Sequence, residues 1–574
     1  MTRDLMQASS GTLGETDSST GGRDTGKPVR RAGRLRHSWQ WCSEHRVGIV
    51  VLLGLLLVNG FAQGHNMYRS PQLVNDDEGT YVAQAFAVLH FHALTPYTYW
   101  YDHPPLGWIL VAGYLFFTGA IHHAPTAVDA GRQSMLFFGE LSVAFLYSLA
   151  RRLGLARWTS ALTVLIFALS PLALSYHRQV LLDNVATTLL IASFVLALSP
   201  RRRLLAQGAS GLCFGASVLS KETFLLFLPA FAWQLWRAAD KRTRAFVMAT
   251  ASGLFGLSLS MYVLYAALKG ELLPGKGHVS LVGAIEWQLA QRPSSGSVFQ
   301  AGSGAHSTVT GWLSQDPWLL GVGLVMLPVI FARRSLRAVG LAYAFTALAI
   351  LRPGYLPLLY IIGLLPFAAL AVGGGVDTLW RWRPAIDTSR FWWRARRLRP
   401  YGLETAHLQG SISLRLLGPL TAAVLMVVAV AGAAPAWARA DHSLLTSNAD
   451  GTYVEAEHWV ESHVPRYDRI LVDDDAWVDL VRAGFPPNQV VWFYKLGTDP
   501  EVDARFPQGW RDFQYIIAAH TIKYVHVSTT LWTIQALAHS KTVASFGGDG
   551  PWSVQVMRVD EARPVVGPGR SRAG

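Results

Sequence analysis

Hydrophobic positions fall into long runs separated by short polar clusters, at about residues 47–60, 106–121, 134–150, 159–174, 185–198 and 206–219. Further runs follow at about 223–236, 246–268, 318–332, 338–351, 356–372 and 414–436. With its flanks counted, each run approaches the roughly 20 residues that a helix needs to cross a bilayer core. The pattern predicts a polytopic α-helical membrane protein. Beyond residue 438 the pattern changes. Ile470-Leu471-Val472, Val490-Val491-Trp492-Phe493, Tyr515-Ile516-Ile517 and 552–556 read as short β segments. Helix-like stretches at 452–462 and 476–483 alternate with them, and Phe485-Pro486-Pro487-Asn488 is a turn signal. Residues 439–574 therefore read as a soluble α/β domain of ordinary size.

Composition agrees: 51% of residues are hydrophobic and only 15% charged. The formal net charge of +13 would suit a nucleic-acid partner, but the basic residues are not gathered into one patch. They sit in small groups between apolar runs, as cytoplasmic loops do, so nucleic acid is excluded as a partner and the lipid bilayer is expected. The tail 1–46, poor in apolar residues and carrying Arg30-Arg31, Arg34, Arg36 and Arg46, reads as a disordered cytoplasmic segment. The first run then acts as an uncleaved signal anchor. Two cysteines make no disulfide framework.

The run 106–121 decides the topology. Were it to span, Arg151-Arg152, Arg157 and Arg201-Arg202-Arg203 would lie outside. As an interfacial helix, with Trp108, Tyr114 and flanking Pro and His, it leaves every basic cluster inside. That choice gives about eleven spanning helices over 47–438. The outer loops are 62–131 and 269–317, and the C-terminal domain is extracytoplasmic.

On that outer face stands Asn75-Asp76-Asp77-Glu78-Gly79-Thr80-Tyr81. A helix cap needs one acid, not three adjacent ones that repel each other. Asp102-His103 precedes Pro104-Pro105, whose stiff backbone fixes where the two polar side chains point. Arg178, Asp183 and Ser220-Lys221-Glu222 lie where apolar runs end, and charge so close to hydrocarbon is costly enough to suggest function. Asp473-Asp474-Asp475 follows a β-like run, and reads as a solvated turn and helix cap or as a ligand-binding strand end.

Asp77-Glu78-Gly79-Thr80-Tyr81, Asp102-His103-Pro104-Pro105, Arg178…Asp183 and Ser220-Lys221-Glu222, in that order, resemble the lipid-linked-sugar glycosyltransferases with the GT-C fold. The chain is most similar to the protein O-mannosyltransferase and aminoarabinose transferase group, over about residues 47–268. The resemblance implies juxtamembrane helices after the first span, a polyprenyl-phosphate sugar donor and a protein or glycan hydroxyl as acceptor. It implies Asp77 as the catalytic carboxylate, with Asp76 as the other candidate and Glu78 beside them. Lys221, Arg178, His103 and Tyr81 are expected at the donor, and Asp102 and His278 as ligands of a divalent metal (Mg²⁺, Mn²⁺ or Zn²⁺). One base opposite one leaving group predicts inversion. The rival is a transporter or flippase for a polyprenyl-linked substrate; such proteins usually hold ionisable groups near the bilayer midplane.

Overall fold

The computed structural model describes residues 29–70, 77–382, 385–386, 412–413, 416–524, 530–550 and 552–562. The chain divides into two compact units, Met1–Val51 and Leu52–Gly574. The described part of the first is the leading stretch of helix α1 (Val29–Gly64). In the second, the C-terminal sheet and the helical bundle belong to one unit.

After α1 come α2 (Asp77–His90), α3 (Leu106–Thr118) and α4 (Ala127–Arg152). Helix α3, at 13 residues and ~1.5 Å per residue, is about 20 Å long, short of a ~30 Å hydrocarbon core. It ends where Gly119 turns left-handed (φ 65°). Helix α4 starts at a reciprocal cap in which Thr126 and Asp129 bond each other's backbone N–H. Helices α5 (Arg157–Leu169) and α6 (Pro171–Arg178) meet at a 61° bend, because Pro171 cannot continue the hydrogen-bond ladder and Ser170 caps a new helix there. Then follow α7 (Leu182–Ala197), α8 (Arg203–Ser220), α9 (Leu228–Ala238) and α10 (Arg244–Leu268). Between α8 and α10, Gly211 lets the backbones touch: a Cβ there would stand 2.1 Å from the Ala251 carbonyl oxygen.

Among the described residues, five helices are long and apolar enough to cross a membrane, or six if the bent α5–α6 pair counts as one span. The expected count of about eleven is not reached by that measure. Several apolar runs form helices of 10–17 residues instead, among them Leu182–Ala197 and Arg337–Leu351. The helix Tyr360–Trp380 is the bundle's centre, with 94% of its apolar window buried, whereas the window within Leu417–His463 is 11% buried and so faces outward. Outward-facing apolar side chains such as Leu57, Phe117 and Val427 suit lipid contact.

The last apolar helix runs to Thr446, beyond the expected boundary at 438, and helix Gly451–His463 leads into the C-terminal sheet. Its strands are β1 (Ile470–Val472), β2 (Val490–Trp492), β3 (Tyr515–Ala518), β4 (Ser540–Phe546) and β5 (Val554–Val559). Their spatial order is 2-1-3-5-4; β1 pairs parallel with β2 and β3, and the other pairings are antiparallel. Every β1 and β2 residue is buried, hence their unbroken apolar pattern. Strand β4, mostly exposed and polar, gave no alternation to read.

Candidate active site

The parallel strands β1 and β2 lead at their carboxyl ends into residues that meet α2, Asp474 and Tyr494 both reaching Thr80; this is the usual end for ligands on open α/β sheets. The contact is made of backbone. A Cβ on Gly79 of α2 would stand 2.2 Å from the Asp475 nitrogen and 2.3 Å from the Asp474 carbonyl carbon. Asp474 accepts hydrogen bonds from the Thr80 hydroxyl and, at 3.0 Å, from the Tyr494 hydroxyl. Asp473 is bound by Tyr453 and Thr521. Asp479 accepts the Ala127 N–H at 2.8 and 3.1 Å, occupying the start of α4. The triple aspartate is therefore buried at a docking seam rather than a solvated turn.

The loop between α2 and α3 is pinned to the same sheet. The Tyr97 hydroxyl donates to the Val490 carbonyl at 3.0 Å, and its ring packs on Trp477 and Trp492. Thr98 bonds Asp499 through both its N–H and its hydroxyl. Tyr101 holds a left-handed backbone (φ 57°), an unfavourable conformation for a bulky residue, anchored by its hydroxyl on Glu271 at 2.6 Å. That turn sets the direction of Asp102 and His103.

Between loop, helix and sheet lies a cleft of about 250 Å³. Helix α2 contributes Asp77, Thr80, Tyr81 and Gln84. The loop contributes Tyr99, Trp100, Asp102 and His103, and the C-terminal sheet Trp492, Tyr494 and Lys495. The Tyr81 hydroxyl donates to Asp77 Oδ1 at 3.3 Å. Behind the wall runs a relay. Lys221 Nζ lies 2.8 Å from His103 Nε2 and 3.9 Å from Asp183, while His103 Nδ1 lies 3.0 Å from Glu222 Oε2. An ammonium can only donate, so Nε2 accepts and Nδ1 carries the proton to Glu222. Both nitrogens of His103 are thereby engaged, and it presents its ring to the cleft.

The structure brings Asp77, Tyr81, Asp102 and His103 to the cleft and leaves other expected residues elsewhere. Asp76 lies outside the described residues. Glu78, expected beside the catalytic acid, is 1% exposed and held by the Arg132 fork at 2.9 and 3.0 Å; Arg132 also grips Asp450 at 2.7 Å. Helical periodicity explains this: Asp77 shares the cleft face of α2 with Thr80, Tyr81 and Gln84, three, four and seven positions on, whereas Glu78 projects about 100° away from Asp77, toward Arg132. Arg178, expected at the donor, instead donates to the carbonyls of Ala62, His65 and Leu444, closing the end of α1. Lys221 reaches the cleft only through His103. His278 is exposed on its loop, its Nδ1 2.8 Å from the Val279 carbonyl, and does not line the cleft. Among the described residues no three His, Cys, Asp or Glu groups stand close enough together to hold a metal; Asp102 lines the cleft and His278 does not.

Sequence reading missed Lys495, Tyr494 and Trp492 as cleft residues. Their signal was available: an aromatic cluster and a lysine at the end of a predicted strand. Arg132 left no such signal, being one arginine at the edge of an apolar run.

A multi-pass helical membrane bundle with an α/β lobe over one end is the architecture of the GT-C glycosyltransferases. The chain is similar to ArnT of Cupriavidus metallidurans bound to undecaprenyl phosphate, with 16% identity, TM-score 0.54, and coverage of 91% of this chain and 100% of that one. It is also similar to the Archaeoglobus fulgidus oligosaccharyltransferase in complex with Zn and sulfate, with 12% identity, TM-score 0.52, and coverage of 87% and 72%. The archaeal oligosaccharyltransferase AglB of the same organism, with an inhibitory peptide and a dolichol-phosphate, matches at 12% identity, TM-score 0.50, and coverage of 88% and 74%. Residues 102–273 match the family model of dolichyl-phosphate-mannose-protein mannosyltransferase. Among curated proteins, none matches. The fold of these structures and the match over residues 102–273 agree with the resemblance read from the motifs: the chain has the fold of the GT-C glycosyltransferases and carries a segment similar to the mannosyltransferase family.

Proposed function

We propose that this chain moves a sugar from a polyprenyl-phosphate donor to a hydroxyl acceptor on the extracytoplasmic face, with Asp77 as general base. The observation that carries the reading is the position of Asp77 on the cleft wall, oriented by Tyr81 and close to Asp102 and the His103–Lys221 relay. Asp77 takes the acceptor's hydroxyl proton as the acceptor oxygen bonds to the anomeric carbon. The bond from that carbon to the phosphate oxygen breaks, and polyprenyl phosphate leaves with the electron pair. A single displacement of this kind inverts the anomeric centre. Phosphate is already a good leaving group, so positive charge near it serves better than a general acid.

The chain is arranged as a basic tail over 1–46, a membrane body over 47–438 and an extracytoplasmic lobe over 439–574, with the tail in the cytoplasm. The lobe roofs the cleft, and the lipid tail of the donor enters sideways from the bilayer. Replacing Asp77 by Asn tests the assignment, with a polyprenyl-phosphate sugar and purified protein in lipid. Transfer should fall by at least the ~10²-fold that general-base removal costs, while donor binding persists. Full turnover by the Asn variant would overturn the assignment. Proton-coupled or facilitated passage of the donor across vesicles, without transfer, would favour the transporter instead.

A further inference from the structure

Lys221 stands behind His103 and Arg178 is spent on the end of α1, so the charge that meets the donor phosphate must be sought elsewhere on the cleft wall. Lys495 is the lysine that lines it. It follows β2 on the C-terminal lobe, and only 6% of its surface is exposed. Its ammonium lies 3.8 Å over the ring of Trp100. Its ion-pair partner, Asp499 Oδ2, is 3.8 Å away, beyond hydrogen-bond reach, and Asp499 is already bonded by Thr98 and the Glu501 N–H. A buried ammonium with three donors and no hydrogen bond among the described residues is costly unless something else completes it. Burial also pushes its pKa below the usual lysine range, against the pull of Asp499 and Asp102. A phosphate would reverse that, supplying oxygens and a full negative charge.

We propose that Lys495 of the C-terminal lobe is the group that binds the donor's phosphate, so that the lobe completes the active site rather than merely covering it. This deepens the function proposed above and rests on it. Trp100 holds the ammonium in place by its ring face, fixing the lysine's long stem before substrate arrives. The lobe's docking through Gly79 and Asp474 then becomes a condition for donor binding, because Lys495 moves with the lobe.

The test uses the full chain in lipid nanodiscs and measures binding of undecaprenyl phosphate and, as the uncharged control, undecaprenol. Lys495→Met should weaken undecaprenyl phosphate binding by tenfold or more, leave undecaprenol unchanged and remove most of the salt dependence. Lys495→Arg should recover part of the affinity, which separates charge from folding, and thermal unfolding of both variants reports the fold directly. Equal loss for both lipids, unchanged phosphate affinity, or a rise in acceptor KM alone would each overturn the proposal. Failure here with Asp77→Asn still inactive would leave the glycosyl-transfer reading standing. An active Asp77→Asn variant would remove that reading whatever Lys495 does.

Discussion

Gly79→Ala adds one methyl group to α2 and tests whether the lobe's seating governs the chemistry. The added carbon would stand 2.2 Å from the Asp475 nitrogen, 2.3 Å from the Asp474 carbonyl carbon and 2.5 Å from the Asp475 Cα. All three are backbone atoms, so no side-chain rotation relieves the overlap. Ordinary contact at ~3.5 Å requires the two segments to part by about 1 Å. Overpacking of a tight interface costs about 1–3 kcal/mol, and a backbone-to-backbone clash belongs at the upper end. The same shift carries Tyr494 and Lys495 away from Asp77, and a ~1 Å misplacement of reacting groups costs on the order of 10²-fold in rate. Sugar transfer in lipid, together with limited proteolysis of the lobe, reads both effects. Slower transfer and faster cleavage near residues 447–450 are expected. Wild-type turnover with wild-type protease resistance would refute the reasoning, since it would mean that seam and cleft are independent.

Glu78→Ala removes one of the two carboxylates on the buried Arg132, leaving Asp450 to hold the charge but the fork's other donors unmet, and should cost about 1–3 kcal/mol, read as a fall in the unfolding midpoint in detergent; an effect on rate with unchanged stability would contradict its structural role. His103→Gln should retain far more activity than His103→Leu, because an amide can still accept from Lys221 and donate to Glu222; equal loss in both would sink the relay. Burial pushes the Asp479 carboxyl up to about 6, although the Ala127 N–H and Arg482 pull the other way. Its folded pKa thus exceeds the unfolded value, so its contribution to stability is full below about pH 4 and lost as pH rises through about 6. Asp479→Asn should remove that part of the slope in thermal stability between pH 4 and 7, and an unchanged slope would count against it.

Sequence alone determined what depends on local period and cost. Runs of apolar residues required a membrane solvent, and buried parallel strands read as unbroken apolar triplets, while the breaks at Gly119 and Pro171, inside the runs 106–121 and 159–174, came from the structure. Asp77, Asp102 and His103 stood out because carboxylates beside hydrocarbon are expensive without a task. Tertiary structure decided which of the charged residues meet. Asp77 and Glu78 are neighbours in sequence, yet helical rotation sends one to the cleft and the other to Arg132. Lys495 reaches the cleft from about 400 positions downstream of Asp102 because a five-stranded sheet docks on α2 through a glycine. No local pattern encodes that pairing: contact across such a separation is fixed by packing of whole elements, and a linear period carries no record of it.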